Sequence, residues 1–323
     1  MNPETSQDPR LASADAGVRR IAILDIADAE DDADLPLLTG ALRDDAAAEV
    51  RAEAARVLGG WGHPAAVDAL AAALLDRDAA VRTHAASALG QLKDADAGAR
   101  LVPWASHADP VVRAAALRGL KELRLPAAAA PALAALSHDD PGVRREAVGV
   151  LGWLKVTDAL PDIARLATTD SDNDVRRIAT GALGLSSEAG HATVLPALLA
   201  GLRDPHWPVR EEAATTLAKL APPDALADLL VSMDDAAWQV RLRAARALGR
   251  LRQPAALPTL IAALAHPMGN LRKEAAVALG EIGAPAAATA LELAAGDPDP
   301  EVRKTARLAL SRLASGTPSP AAA

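Results

Sequence analysis

Apolar residues recur along this chain with two superimposed periods. The shorter one is helical. In the run Val81-Arg82-Thr83-His84-Ala85-Ala86-Ser87-Ala88-Leu89-Gly90-Gln91-Leu92, the residues Val81, Ala85, Ala88, Leu89 and Leu92 fall on one stripe of an α-helix. The longer period is that of the whole segment. A Val-Arg dipeptide begins at Val18, Val50, Val81, Val112, Val143, Val175, Val209, Val240 and Val302, and Leu271-Arg272 fills the remaining place. Successive spacings are 32, 31, 31, 31, 32, 34, 31, 31 and 31 residues, a regularity that chance does not produce. Gly59, Gly90, Gly152, Gly184, Gly249 and Gly280 share one register near the end of these segments, as expected where a helix closes with little steric penalty. Ahead of each segment the pattern predicts another apolar helix, for example over 67–75, 195–202 and 257–264. Proline marks several of its starts, at Pro64, Pro223, Pro254 and Pro285, consistent with its tolerance in a first helical turn.

Helix, short turn and helix therefore make one repeat. A single pair cannot bury both of its apolar faces, so neighbouring pairs must stack and share a core. The predicted fold class is all-α, an α-α superhelix of about ten helix pairs. With helices roughly 8 to 10 Å apart, nine steps imply an arc about 70 to 90 Å long. The expected boundaries are an N-terminal tail or cap over 1–14, a continuous solenoid over 15–314, and a disordered tail over 315–323 containing Pro318 and Pro320. The lengthened spacing reads as an enlarged loop at 185–191, and the six acidic residues within 25–34 as a solvated loop.

Length alone, 323 residues, would suggest two globular units, a count that the repeats displace. There is no Phe and no Tyr, and Trp occurs five times, so the core must be built from Ala, Leu, Val and Ile at close helix separations. The absence of Cys removes disulfides, thiolate nucleophiles, iron–sulfur ligation and Cys-zinc sites. The first ten residues lack the basic-then-apolar order of a secretory signal, and no run of eighteen apolar residues occurs. A cytoplasmic protein without a membrane span is expected. A formal charge of -8 argues against general polyanion binding, since such affinity comes mainly from Lys and Arg neutralising phosphates.

The pattern Asp-Pro-x-x-Val-Arg-x-x-Ala-x-x-x-Leu-Gly resembles the HEAT repeat, in particular its short bacterial form found in phycobilin lyases. Asp204-Pro205-His206-Trp207-Pro208-Val209-Arg210 and Asp235-Ala236-Ala237-Trp238-Gln239-Val240-Arg241 match that form, including a Trp two positions before Val. Arg follows the key hydrophobe in every repeat, as Arg19, Arg51, Arg82, Arg113, Arg144, Arg176, Arg210, Arg241, Arg272 and Arg303. Asp stands five positions before it at Asp45, Asp76, Asp170, Asp204, Asp235 and Asp297. The resemblance implies a structural Asp–Arg ladder along the turns, for which guanidinium geometry is suited. His107, His138 and His266 take the Asp position in three repeats and read as turn or cap residues.

The chain is also similar in repeat plan to deoxyhypusine hydroxylase, which binds iron through His-Glu pairs. Glu53, Glu146, Glu212 and Glu274 occupy the matching Glu register, but Ala52, Arg145, Glu211 and Lys273 stand where each His belongs. His84 shares the register of these glutamates, and its expected surroundings are a solvated polar row. No nucleophile-His-acid set, phosphate loop or carboxylate pair stands out, so no catalytic, cofactor or metal residue is assigned. The lyase resemblance implies handling of a linear tetrapyrrole, although there is no Cys to attach one and no Tyr to stack on it; Trp and Arg are left for noncovalent contact.

What remains is surface. By resemblance the second helix of each pair lines the concave side. Arg243, Arg246 and Arg250 fall on one helix face, with Lys273 and Lys304 in following repeats, a basic stripe that suits either a solvated face or partner contact. The helix phase that buries Val143, Ala147, Val150, Leu151 and Leu154 leaves Trp153 at the edge, where Trp commonly anchors an interface; Trp207 and Trp238 suit packing between adjacent turns. The expected function is a noncatalytic protein-binding scaffold or accessory factor. The alternative is a phycobilin-lyase-like chaperone of a chromophore or cofactor. A protein partner is expected, nucleic acid is disfavoured, and a small-molecule ligand is left open.

Overall fold

A computed structural model describes residues 8–186 and 190–315. The centre of the loop expected at 185–191, nearly all of the tail expected at 315–323, and the first seven residues of the 1–14 segment lie outside the described residues. Among the described residues all regular structure is helical, with nineteen α-helices. The fold class is all-α, built of stacked helix pairs as in an α-α superhelix. The chain divides into two compact units, Met1–Val156 and Thr157–Ala323. No helix among the described residues is long and apolar enough to cross a membrane.

The first unit holds α1 (Ala16–Ala29), α2 (Leu35–Asp44), α3 (Ala48–Leu58), α4 (Pro64–Ala73), α5 (Ala79–Leu89), α6 (Ala95–Gly98), α7 (Pro110–Lys121), α8 (Ala129–Ala135) and α9 (Pro141–Leu154). Helix α6 runs on into a 3-10 segment, Ala99–Ser106, which contains Pro103. Pairs form between α2 and α3, α4 and α5, the 3-10 segment and α7, and α8 and α9, while α1, α3, α5, α7 and α9 stack on one another in series. The second unit holds α10 (Leu160–Thr169), α11 (Asn173–Leu183), α12 (His191–Gly201), α13 (Trp207–Leu220), α14 (Leu226–Ser232), α15 (Trp238–Leu251), α16 (Leu257–Ala263), α17 (Gly269–Ile282), α18 (Ala288–Ala294) and α19 (Pro300–Ser315). Its pairs run in chain order from α10 with α11 to α18 with α19, and the odd-numbered helices again stack in series.

The stacking follows from what the period buries. Val50, Val81, Val112, Val143, Val175, Val209, Val240, Leu271 and Val302 are all buried, each at the start of a second helix. Val18 is 36% exposed, because among the described residues no preceding helix pair covers it. Burying a Val or Leu side chain contributes roughly 1.5 to 3 kcal/mol, so one repeat alone would forgo most of its stabilisation.

Two local expectations are corrected. The glycines of the shared register do not all close helices. Gly249 and Gly280 lie inside α15 and α17, and a Cβ on Gly249 would come 2.7 Å from the Cα of Ala278. There glycine permits close approach of neighbouring second helices. Closure falls to residues in the left-handed region, Lys155, Ala221, Arg252 and Gly283, the last with φ 70°. Nor do the later prolines all begin α-helices. Pro64 opens α4, but Pro223, Pro254 and Pro285 open short 3-10 turns that lead into α14, α16 and α18.

Candidate functional site

The turn within each helix pair is organised around the Arg that follows the buried hydrophobe. Arg51, 3% exposed, bonds in two directions. Its Nη1 donates backward to the carbonyls of Asp45 and Ala46, at 2.9 and 3.3 Å, which fixes its own turn. Its Nε and Nη2 donate forward to Asp76 Oδ2 and Oδ1, at 2.8 and 2.9 Å, in the next repeat. The same fork joins Arg19 to Asp45, Arg176 to Asp204, Arg210 to Asp235 and Arg272 to Asp297. Each of these aspartates also accepts from the backbone N–H two residues on. The Arg51 guanidinium holds the Asp76 carboxyl below the usual carboxylate range against the opposing effect of burial, and Arg210 does the same to Asp235. For Asp204, desolvation works to raise the value and is outweighed by bonds from Arg176 and the His206 N–H. Arg82, Arg144, Arg241 and Arg303 make the backward bonds as well, and Asp170 accepts from the Asp172 N–H.

Histidine changes this rung. The Nδ1 atoms of His107, His138 and His266 accept from the N–H groups of Asp109, Asp140 and Met268, each at 3.0 Å. The turn bond survives, and accepting at Nδ1 places the ring proton on Nε2. The forward fork is lost. Arg113 turns its Nε to the His107 carbonyl at 2.9 Å. Arg241 keeps its backward bonds to the carbonyls of Asp235 and Ala236, but its Nε is buried without a partner among the described residues. In the His107 and His138 turns a carboxylate returns two residues later, where Asp109 and Asp140 cap α7 and α9. At His266 that later position is Met268, and α17 begins without a side-chain cap.

The second-helix face interleaves charges. Arg243 Nε lies 3.1 Å from Glu211, Arg246 Nε 2.8 Å from Glu274, and Lys273 Nζ 3.5 Å from Glu301, whereas Arg250 and Lys304 make no ion pair among the described residues. The stripe read as basic is thus matched by carboxylates from adjacent repeats. Arg118 holds Glu146 at 2.9 Å in the same register relation as Arg246 and Glu274. Glu53 takes Arg56 at 2.6 Å and Arg20 at 3.5 Å. Glu212 is the exception. Gly181 occupies the place of that Arg, and a Cβ there would come 2.7 Å from Glu212 Oε1. Burial lifts the Glu212 pKa, with Arg177 opposing. Among the described residues no three His, Asp or Glu side chains converge as metal ligands, and His84 stands apart from Glu53 and Glu146 in this respect.

Three tryptophans sit at the rims. Trp153 is 43% exposed, with the Arg124 guanidinium 5.2 Å above its ring centroid. Trp207 and Trp238, the first residues of α13 and α15, are 41% and 44% exposed, so they present their rings outward at the ladder edge. Sequence reasoning overlooked two features that it contained. One is the pairing of a Glu three residues after a key hydrophobe with an Arg six residues after the preceding one, which occurs at Glu146 with Arg118 and at Glu274 with Arg246. The other is the His266 turn, which alone among the ten has no Asp at either the ladder or the cap position.

The family model described as HEAT repeats matches residues 35–106, 98–184, 169–237 and 227–311. Among solved structures, an engineered protein is similar at 22% identity and TM-score 0.56, over 98% of this chain and all of that one. A chain from the structure of Kap95p with RanGDP is similar at 16% identity and TM-score 0.65, and one from the Kap95:Nup1 complex at 17% and 0.62. In both, 98% of this chain is covered and it spans half of the other. At these identities the likeness concerns the fold. Among curated proteins, none matches this chain.

Proposed function

This chain belongs to the HEAT-repeat family, and from that premise we propose that it is a noncatalytic protein-binding scaffold or accessory factor acting in the cytoplasm. The observation that carries this reading is the display of large apolar side chains, Trp153, Trp207 and Trp238, on rigid stacked helices beside paired charges. Such anchors bind where a partner buries them, and the surrounding ion pairs set register more than affinity. The solved complexes of Kap95p with RanGDP and with Nup1 place a related fold in protein recognition and support the analogy. In this reading residues 15–314 act as one binding body, with Arg243, Arg246, Arg250, Lys273, Lys304 and Trp153 as contact residues. Affinity purification of the tagged chain from its native host is expected to yield a stoichiometric protein. Trp153→Ala, or Ala at Arg243, Arg246 and Arg250 together, is expected to reduce its recovery at least severalfold without loss of helicity. Recovery of no partner, or undiminished recovery by both variants, would count against the reading.

The Trp-bearing turns at Trp207 and Trp238 favour a second reading, noncovalent handling of a linear tetrapyrrole as in the phycobilin lyases that the motif resembles. An absorbance titration with such a pigment separates the two, since absence of a spectral shift and of retained pigment removes the second.

A further inference from the structure

We propose that the turn between α16 and α17 docks an acidic segment of a protein partner, whose carboxylate completes the rung that Arg241 leaves open. The inference rests on the protein-binding reading and gives it a place and a chemistry. Five rungs place an aspartate against the Nε edge of an arginine 25 to 28 residues earlier. In the Arg241 rung the register sets His266 there, 25 residues on, and its Nδ1 is already occupied by the Met268 N–H. The remaining ring nitrogen carries a proton and cannot accept from a guanidinium. The residue that the register sets at this rung therefore offers no acceptor, and among the described residues the Arg241 Nε has no partner and is closed to solvent.

The other histidine turns show that this is not a property of histidine alone. Asp109 and Asp140 bring a carboxylate back to their turns, and Arg113 finds the His107 carbonyl. The turn over 265–270, Ala-His-Pro-Met-Gly-Asn, has no carboxylate of its own. The one brought by the next repeat, Asp299, comes 2.6 Å from where a Cβ on Gly269 would be and accepts from the Glu301 N–H. Two further observations favour a peptide over a free ion. Trp238, three residues before Arg241, presents an exposed ring beside the vacant rung. The His266 ring is only half-buried, with its Nδ1 held by the Met268 N–H, and a guanidinium edge donates to a carboxylate in forked geometry.

Fluorescence anisotropy with the full chain tests this, using as probe a fluorescein-labelled, C-terminally amidated peptide Ala-Leu-Glu-Glu-Leu-Ala. It is expected to bind at least tenfold more tightly than the same peptide with Gln in place of Glu. His266→Asp, which installs the residue that six other turns carry, supplies the carboxylate in cis and is expected to weaken binding at least tenfold with unchanged circular dichroism. Trp238→Ala is expected to weaken it severalfold, and His138→Asp to leave it unchanged. Equal affinity for the Glu and Gln peptides, or full affinity in His266→Asp, would overturn the proposal. So would displacement of the peptide by acetate at the peptide's own concentration, which would mark a small-anion site. If the wild type captures a host partner and His266→Asp captures it equally, this inference fails while the scaffold reading stands. If the peptide binds as expected but no host protein is recovered, the reverse holds.

Discussion

The turn that opens α7 in the first unit and the turn that opens α17 in the second begin with the same substitution, and only one of them is repaired. His107 and His266 both replace the rung aspartate, and both accept the N–H two residues on. Around His107 the missing charge returns as Asp109, and Arg82, the arginine 25 residues earlier, keeps its bonds to the Asp76 and Arg77 carbonyls with no buried nitrogen left unpartnered among the described residues. Around His266 no carboxylate returns at the cap position, where Met268 stands, and the Arg241 Nε has no partner among the described residues. The difference teaches that the ladder is not ten equal pairs. Each turn needs one carboxylate, at either of two places, and a turn with none keeps an unmet demand for an acceptor.

The largest effect separating closed from open rungs is expected at Arg51. Arg51→Ala removes both the backward carbonyl bonds and the fork to Asp76, a largely buried charged group with one partner left behind, and should cost about 2 to 3 kcal/mol at pH 7 in urea unfolding. Because Arg51 depresses the folded pKa of Asp76, this contribution is fully present above the unfolded carboxylate value, near ~3.9, and is lost as pH falls through the lower folded value. The gap between wild type and Arg51→Ala should therefore narrow below about pH 4. A gap that stays constant down to pH 2 would mean that the pair contributes through packing alone.

A smaller effect tests the one-carboxylate rule. Asp109 and Asp78 make matching caps, each accepting from the N–H groups two and three residues on. Asp109→Ala empties its turn of carboxylates, whereas Asp78→Ala leaves Asp76. Losses of about 1.5 and about 1 kcal/mol respectively are expected by thermal unfolding, within the usual range for an N-cap. A larger loss at Asp78 would contradict the rule. The smallest effect is a gain. His266→Asp should close the open rung and stabilise the second unit by about 1 kcal/mol, read as slower amide exchange in α15 and α17, while no change would show that Arg241 has no need of an acceptor.

Much of this was legible in the residues. The Val-Arg period located nearly every second helix, and the offset of Asp from Val located the turns, because both follow from local helix geometry and capping. Less could be read where a side chain chooses between partners. Arg243, Arg246 and Lys273 look like a basic stripe on their own helices, and only stacking brings Glu211, Glu274 and Glu301 against them. By sequence Trp207 and Trp238 suit packing between adjacent turns, whereas in the fold they are 41% and 44% exposed.

By itself the sequence determined that this chain must stack helix pairs, since a period of about 31 residues leaves each pair an apolar face that only its neighbour can cover. The tertiary structure decided which charges cancel, which glycines admit a neighbouring helix, and which arginine is left without an acceptor. Those outcomes depend on distances between residues some 25 to 36 positions apart, as from Arg51 to Asp76 or from Thr180 to Thr216, and such distances are set by packing and not by local preference.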